Sequence, residues 1–164
     1  MAQTLLFSIV IPAYNYAEVL PRAINSVLRQ SGNDWELIVI NDGSTDNTSE
    51  VLRDIKSNKF SYIEQKNVGL AATRNNGINA STGKYLIFLD ADDEMTSGAL
   101  DNFRTATQAQ PNSGLLIGGH ESIYPSGKSK LHLPKLKKQN RIKKLRSYLI
   151  DKNLTISNGP TAMR

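Results

Sequence analysis

Three carboxylates crowd into four residues in the segment Asp90-Ala-Asp-Asp93. Carboxylates this close repel one another unless a cation or hydrogen-bond donors compensate their charge. Because alternate residues of an extended segment point the same way, we expect Asp90 and Asp92 to serve one site and Asp93 to face elsewhere. Oxygen ligands suit a hard divalent cation such as Mg²⁺ or Mn²⁺, which typically combines one or two carboxylates with substrate phosphates. The cluster therefore predicts a cation site for a phosphate-bearing ligand, with Asp90 and Asp92 as candidate metal ligands.

Two further polar segments stand at the ends of predicted strands. Pro12-Ala-Tyr-Asn15 follows the apolar run Phe7–Ile11, and Asn41-Asp-Gly-Ser44 follows Trp35–Ile40, as the carboxylate cluster follows Tyr85–Leu89. In an open parallel sheet, ligands bind outside the carboxyl ends of the strands. Each segment alone also has the composition of a turn. Their coincidence at three strand ends favours a shared ligand site.

Apolar patterns between these segments place helices between the strands. The alternation predicts βαβ units, a mostly parallel sheet and therefore an α/β fold in a single domain of residues 1–164. We predict four helices: one over Val19–Leu28, one that begins after a cap at Asp46 or Asn47, one over Gly69–Ala80 and one that begins after a cap at Ser97. Weaker strands are predicted at Phe60–Ile63 and Leu115–Ile117. The rest of the chain predicts a hairpin over His120–Leu133 that turns at Ser126-Gly127, and a basic helix over Lys137–Lys152.

The familiar glycine-rich phosphate cradles are absent from the sequence, which contains neither G-x-x-x-x-G-K-[ST] nor a G-x-G-x-x-G after the first strand. A diphosphate would have to be held by the cation and by basic residues, of which Arg74 is the best placed. A phosphoacceptor receiver domain would carry its acidic pair after the first strand. A haloacid-dehalogenase-like phosphatase would carry its D-x-D near the start of the fold. The position of the cluster after the fourth predicted strand fits neither class.

Charge is concentrated late in the chain. The net charge of the whole chain is +5. The segment from Lys128 to Arg146 alone contains nine Lys or Arg residues and no acidic residue. Such a segment can contact an anionic membrane or form a solvated helix face. Nucleic-acid binding is not expected, because no stacking aromatic other than Tyr148 is nearby. With no cysteine, no apolar span and no secretory signal, we expect a cytoplasmic protein, with peripheral contact at the inner membrane face as an alternative.

Four motifs in order resemble the signatures of family 2 glycosyltransferases with the GT-A fold. They cover Phe7 to about Gly119 and comprise Ser8-Ile-Val-Ile-Pro-Ala-Tyr-Asn15, Asn41-Asp-Gly-Ser-Thr-Asp46, Asn67-Val-Gly-Leu-Ala-Ala-Thr-Arg-Asn-Asn-Gly77 and Phe88-Leu-Asp-Ala-Asp-Asp93. The resemblance implies a GT-A core over about residues 7–119, with residues 120–164 beginning an acceptor-side region.

The resemblance also implies roles for the matching residues. Asp42 would accept a hydrogen bond from the base, such as the N3–H of uracil, and Asp92 would bind the divalent cation. Asp90 would hold the ribose or a metal-bound water. The remaining substrate-binding residues are Pro12, Tyr14 and Asn15 at the base and ribose, Asn67, Gly69 and Arg74 around the pocket and phosphates, and Ala91 between the two aspartates.

The implied reaction is inverting transfer of a sugar from a nucleotide diphosphate, with UDP-sugar preferred, to the hydroxyl of a saccharide or glycoconjugate acceptor in cell-surface polysaccharide synthesis. In this family the general base is usually a carboxylate from an acidic motif downstream of the D-x-D motif. Residues Ile156–Arg164 resemble the segment that precedes this acidic motif. No acid follows Asp151. We therefore expect the base beyond Arg164 and a C-terminally truncated fold. A module that binds nucleotide-sugar without transferring it is the alternative.

Overall fold

Strands and helices alternate through the first two thirds of the chain. A computed structural model describes residues 5–133 and the strand at residues 161–163. The elements are β1 (Phe7–Ala13), α1 (Leu20–Leu28), β2 (Trp35–Asn41), α2 (Thr48–Asp54), β3 (Phe60–Glu64), α3 (Leu70–Ala80), β4 (Tyr85–Phe88), α4 (Ala99–Ala109), β5 (Leu115–Ile117), β6 (His120–Ile123), β7 (Ser129–His132) and β8 (Thr161–Met163). The predicted α/β alternation is confirmed.

Six strands form a mixed sheet in the order β3-β2-β1-β4-β8-β5. The first four of these run parallel, with Ala13 of β1 opposite Asn41 of β2 and Val10 of β1 opposite Phe88 of β4. β8 is antiparallel to both β4 and β5. The sheet is thus parallel where the candidate ligand residues lie and antiparallel on its other side.

Apolar side chains cover both faces of the parallel strands. On one face, Ile9 and Leu37 belong to a large buried cluster that also contains residues of α1 and α4. On the other face, Val10 and Ile38 pack in a smaller cluster with Ala80 of α3. A sheet buried on both faces requires strands that are apolar at successive positions. This requirement explains the continuous Val/Ile runs of β1 and β2.

The hairpin predicted over residues 120–133 is confirmed as β6 and β7, paired from His120↔His132 to Ile123↔Ser129. Its turn is closed where the Gly127 N–H donates to the Tyr124 carbonyl at 2.9 Å, and Gly127 has φ of 75°. The predicted basic helix over Lys137–Lys152 lies outside the described residues. Within the described part of the chain, no helix has the length and hydropathy required to cross a membrane.

Two local predictions are wrong. The residue before α4 is Gly98, with φ of 72° and ψ of 9°, and no side chain caps the helix, so Ser97 does not act as its cap. The segment after β4 is a turn, because the Asp93 N–H donates to the Asp90 carbonyl at 3.1 Å. The extended geometry assumed for Asp90 to Asp93 is therefore not adopted.

Candidate functional site

The loops that follow β1, β2 and β4 meet at one edge of the sheet, as predicted. The Asp42 N–H donates to the Ala13 carbonyl at 2.8 Å, and the Leu89 N–H donates to the Val10 carbonyl at 3.0 Å. Parallel pairing of three adjacent strands thus brings together segments that are up to 80 residues apart in sequence, from Pro12 to Asp92. Pro12 itself is buried within β1.

Hydrogen bonds fasten the loop after β1 to the loop after β2. Asn15 has a left-handed backbone with φ of 60°, and its Oδ1 accepts from the Thr45 N–H at 2.8 Å. Asp46 Oδ2 accepts from the Ala17 N–H at 3.0 Å. The Asn15 side chain therefore positions the loops, while the neighbouring residue Tyr14 is 44% exposed and available to a ligand.

Asp42 is the most deeply held carboxylate at this edge, with only 4% of its surface exposed. Its Oδ1 accepts from Gln65 Nε2 at 2.7 Å and from the Val68 N–H at 2.9 Å, and its Oδ2 accepts from the Gly69 N–H at 3.0 Å. Burial acts to raise the pKa of Asp42, but these hydrogen bonds outweigh burial and hold the pKa below its usual value. The side chain is therefore an ionised, fixed acceptor.

Two glycines with positive φ lie in the loops around Asp42. Gly43 has φ of 72°, and a Cβ at that position would lie 2.7 Å from the backbone nitrogen of Asn67. Gly69 has φ of 84° and precedes α3, and a Cβ added there would meet no atom within 4 Å. Asn67 is exposed. The space beside Gly69 is thus open at the edge where Tyr14 is also exposed.

Arg74, on α3, forms an ion pair with Asp90, with Nη2 2.8 Å from Oδ1. Its guanidinium carbon lies 5.7 Å from the centre of the Phe88 ring. Its Nε is buried and has no hydrogen-bond partner among the described residues. Arg74 thus places a positive charge beside the carboxylate cluster, and a guanidinium group suits an anionic ligand such as a phosphate.

The carboxylate cluster carries excess negative charge. Burial and the charges of Asp92 and Asp90 raise the pKa of Asp93 to about 6. Asp93 is thus close enough to Asp90 and Asp92 for their charges to raise its pKa, although we expected Asp93 to face away from these two residues. Asp92 is exposed, and Ala91 between the two aspartates is buried.

These residues fit a divalent cation. Asp92 offers an exposed carboxylate beside charges that repel it, and a cation would relieve that repulsion. Among the described residues, no cluster of three or more acidic or histidine side chains could hold a metal alone. A cation here would therefore need oxygen atoms from a ligand such as a diphosphate, as Mg²⁺ sites commonly do.

Comparison with known proteins identifies the family to which the chain belongs. The sequence model of glycosyl transferase family 2 matches residues 8–164, and the chain belongs to that family. The uncharacterized glycosyltransferase EpsJ of Bacillus subtilis (strain 168) is 33% identical over 139 residues, which is 84% of this chain and 40% of that protein. The chain spans between 13% and 40% of the length of EpsJ and seven other curated relatives.

Solved structures show the same GT-A fold. S. aureus TarS 1-349 in complex with UDP-GlcNAc superposes with a TM-score of 0.69 and 23% identity, covering 77% of this chain and 37% of that one. The mannosyltransferase PcManGT from Pyrobaculum calidifontis, in complex with GDP-Man and Mn²⁺, gives a TM-score of 0.62 and 22% identity over 68% of this chain and 34% of that one. At these identities the likeness establishes the fold alone.

Sequence reasoning missed three residues behind Asp42. Gln65 Nε2 also donates to Thr73 Oγ1 at 3.2 Å, and Asn76 Nδ2 donates to Gln65 Oε1 at 2.6 Å. Gln65 follows β3 directly, so the rule that ligand-site residues follow strands would have found it had it been applied to the third strand. Thr73 and Asn76 lie on α3 among other polar residues, and nothing in their spacing distinguishes them.

Proposed function

We propose that residues 1–164 form one nucleotide-sugar-binding domain of a family 2 glycosyltransferase, with its core over about residues 7–119. The observation that carries the proposal is the edge of the sheet where the fixed carboxylate of Asp42, the exposed side chain of Tyr14, the Arg74–Asp90 ion pair and the exposed carboxylate of Asp92 occur together. Asp42 and Tyr14 suit a nucleotide base, and Arg74 and Asp92 suit a metal-bound diphosphate.

UDP-sugar is the donor that we propose. Asp42 is an acceptor that cannot donate, so it suits a base with a ring N–H, and uracil carries one at N3. Tyr14 offers an aromatic face on which the base can stack. The likeness to a TarS structure that contains UDP-GlcNAc supports this proposal.

Arg74 and Asp92 are proposed to hold the diphosphate end of the donor. Arg74 supplies a positive charge, while Asp92, with Asp90 beside it, would bind Mn²⁺ or Mg²⁺. The bound cation would stabilise the charge that develops on the leaving diphosphate. A PcManGT structure that contains Mn²⁺ supports the cation assignment.

The test compares two neighbouring acidic residues. Addition of UDP with Mn²⁺ at about one hundred times the dissociation constant should stabilise the wild-type fold by roughly 2.7 kcal/mol, and Asp92→Asn should lose most of the Mn²⁺-dependent part. Glu94→Gln is the control, because Glu94 is exposed and its only ion pair among the described residues is a long one of 3.6 Å with Arg22. The readout is the melting temperature with UDP alone, Mn²⁺ alone and both. Equal Mn²⁺-dependent shifts in wild type and Asp92→Asn would contradict the assignment.

For the transfer step, we propose inversion by attack of an acceptor hydroxyl opposite the diphosphate, with a carboxylate removing the proton. Asp90 is paired with Arg74, and Asp92 is assigned to the cation, so neither is free to act as the base. The 164-residue chain should therefore bind donor but transfer sugar poorly to saccharide or glycoconjugate acceptors. A radiolabelled transfer assay over an acceptor panel tests this expectation, and robust turnover by these residues would contradict it. Donor binding without transfer by any longer chain would instead favour the module that binds nucleotide-sugar without transferring it.

The exposed β6–β7 hairpin supports a second proposal, peripheral contact with an anionic membrane. In and next to the β6–β7 hairpin, Ile123, Leu131 and Leu133 are 77%, 63% and 65% exposed. Nine Lys or Arg residues without an acid begin at Lys128 in the adjoining sequence. Apolar side chains beside basic ones suit an anionic lipid surface. Sedimentation with phosphatidylglycerol vesicles, but not phosphatidylcholine vesicles, should deplete the protein at low salt. Equal binding to both lipids, or none, would exclude this contact.

A further inference from the structure

A continuous line of hydrogen bonds runs from the surface of α3 to Asp42. Asn76 Nδ2 donates to Gln65 Oε1 at 2.6 Å, and Gln65 Nε2 donates to Asp42 Oδ1 at 2.7 Å. The second hydrogen on Gln65 Nε2 is directed to Thr73 Oγ1, whose hydroxyl donates in turn to the Gly69 carbonyl at 2.9 Å. Every polar atom of the Gln65 amide is thus engaged by the described residues.

The direction of these hydrogen bonds is fixed by chemistry. An ionised carboxylate only accepts, so Gln65 must present its Nε2 to Asp42. The Oε1 of the same planar amide then faces Asn76, which must present its own Nδ2. If Asn76 were replaced by a group that only accepts, Gln65 could satisfy that group only by rotating its amide, and two oxygens would then face each other at Asp42.

Asp42 has at most one acceptor position left for a ligand. A carboxylate accepts about four hydrogen bonds, and the described residues supply three of them, two to Oδ1 and one to Oδ2. Rotation of the carboxylate would move this remaining position. The donors from Gln65, Val68 and Gly69 prevent that rotation, and only the first of these comes from a side chain.

We propose that Asn76 and Gln65 are positioning residues that hold Asp42 as a fixed acceptor and so select nucleotides whose base carries a ring N–H. The inference rests on the proposed function and extends it from Asp42 to the two residues whose hydrogen bonds lead to it. Uracil and guanine present such an N–H, whereas cytosine and adenine present a ring nitrogen that accepts and would be repelled. A site built to hydrogen-bond one group rejects analogues that lack it.

The test is Asn76→Asp, which changes one side-chain atom at an exposed position. Asn79→Asp is the matched control, since Asn79 is exposed on the same helix and the change in charge is identical. Binding of UDP, GDP, CDP and ADP is measured by calorimetry with Mn²⁺, together with inorganic pyrophosphate and Mn²⁺ as a probe of the phosphate end alone. Asn76→Ala, which removes the donor without adding a competing acceptor, gives an intermediate case.

Asn76→Asp should weaken binding of UDP, or of GDP if GDP is the better ligand, by about tenfold. Pyrophosphate binding should match that of the Asn79→Asp control, and the preference for UDP over CDP should fall. Equal affinity of the two Asp variants for every nucleotide would overturn the inference, as would equal losses for UDP and pyrophosphate, which indicate a general structural defect. If wild type binds no nucleotide at all, the proposed function itself fails, and that result is distinct from either outcome.

Discussion

The packing of α3 against β1 leads to a quantitative prediction at Gly77. A Cβ added to Gly77 would lie 2.4 Å from Val10 Cγ1 and 3.3 Å from Cγ2, whereas carbon atoms in good contact are about 3.5–4.0 Å apart. Alanine favours the helix interior by about 1 kcal/mol over glycine. Overpacking a core costs about 1–3 kcal/mol, and the upper part of this range applies because the side chain of Val10 is stiff and fully buried.

Gly77→Ala should therefore lower the free energy of unfolding by about 1–2 kcal/mol. For a chain of this size the melting temperature should fall by roughly 2–8 °C. Urea denaturation measures the change as a lower midpoint at an unchanged slope. The control is Asn79→Ala, at an exposed position of the same helix, which should raise the midpoint slightly because only helix propensity changes.

The contact itself is tested in a Val10→Ala background. Removing the two methyl groups of Val10 should destabilise the fold, but Gly77→Ala should then be neutral or stabilising by up to about 1 kcal/mol. Residues in contact show coupling of this kind, whereas separate residues give additive changes. Strict additivity of the two substitutions, or a Gly77→Ala variant as stable as Asn79→Ala, would refute the packing argument.

Two further predictions concern pH and have opposite signs. Because the pKa of Asp93 is raised from 3.8 to about 6, the unfolded chain ionises first and stability falls as pH rises between about 4 and 6. Asp93→Asn should remove this fall and stabilise the fold at pH 8 by at most about 3 kcal/mol, and by about 1–2 kcal/mol after solvent screening. A variant with the wild-type pH profile would contradict this prediction. Burial acts to raise the pKa of Asp46, but hydrogen bonds from Thr48 and Ala17 lower it, so its stabilisation exists above pH 3.8 and is lost as pH falls through the folded pKa. Asp46→Ala removes the acceptor of the Ala17 and Thr48 N–H groups and should cost about 1 kcal/mol at neutral pH. The same urea titrations should show a smaller cost in acid. A constant difference at all pH values would show that the charge is not involved.

The parallel part of the fold could be read from the sequence because its pattern is local. Phe7–Ile11, Trp35–Ile40 and Tyr85–Leu89 are apolar at successive positions, and polar motifs follow each of them. A parallel sheet covered on both faces produces this pattern, and the carboxyl ends of its strands then coincide by geometry. The four motifs also identified the family, which the match to residues 8–164 confirms.

Other features depend on contacts that the local sequence does not encode. The residue at the start of α4 is the left-handed Gly98 and not Ser97, which the sequence suggested as the cap. Serine is common before helices, so its presence there does not show that its side chain caps the helix. β8 has only three residues and pairs with strands more than 40 positions earlier, so no periodic pattern marks it. The hydrogen bonds of Gln65 depend on the distance between β3 and α3, which only the folded chain defines.

The place of β8 in the sheet has a consequence for synthesis on the ribosome. Leu86, Ile87 and Phe88 of β4 pair on one side with β1 and on the other with residues 161–163, although β4 and β5 are separated by only 26 residues. A nascent chain can complete β3, β2, β1 and β4 long before residue 163 leaves the exit tunnel. During that interval one side of β4 presents unpaired backbone groups between apolar side chains, and such an edge readily pairs with another chain. Translation speed over the basic segment that separates β7 from β8 would therefore set how long each new molecule remains open to aggregation, independently of the stability of the finished fold.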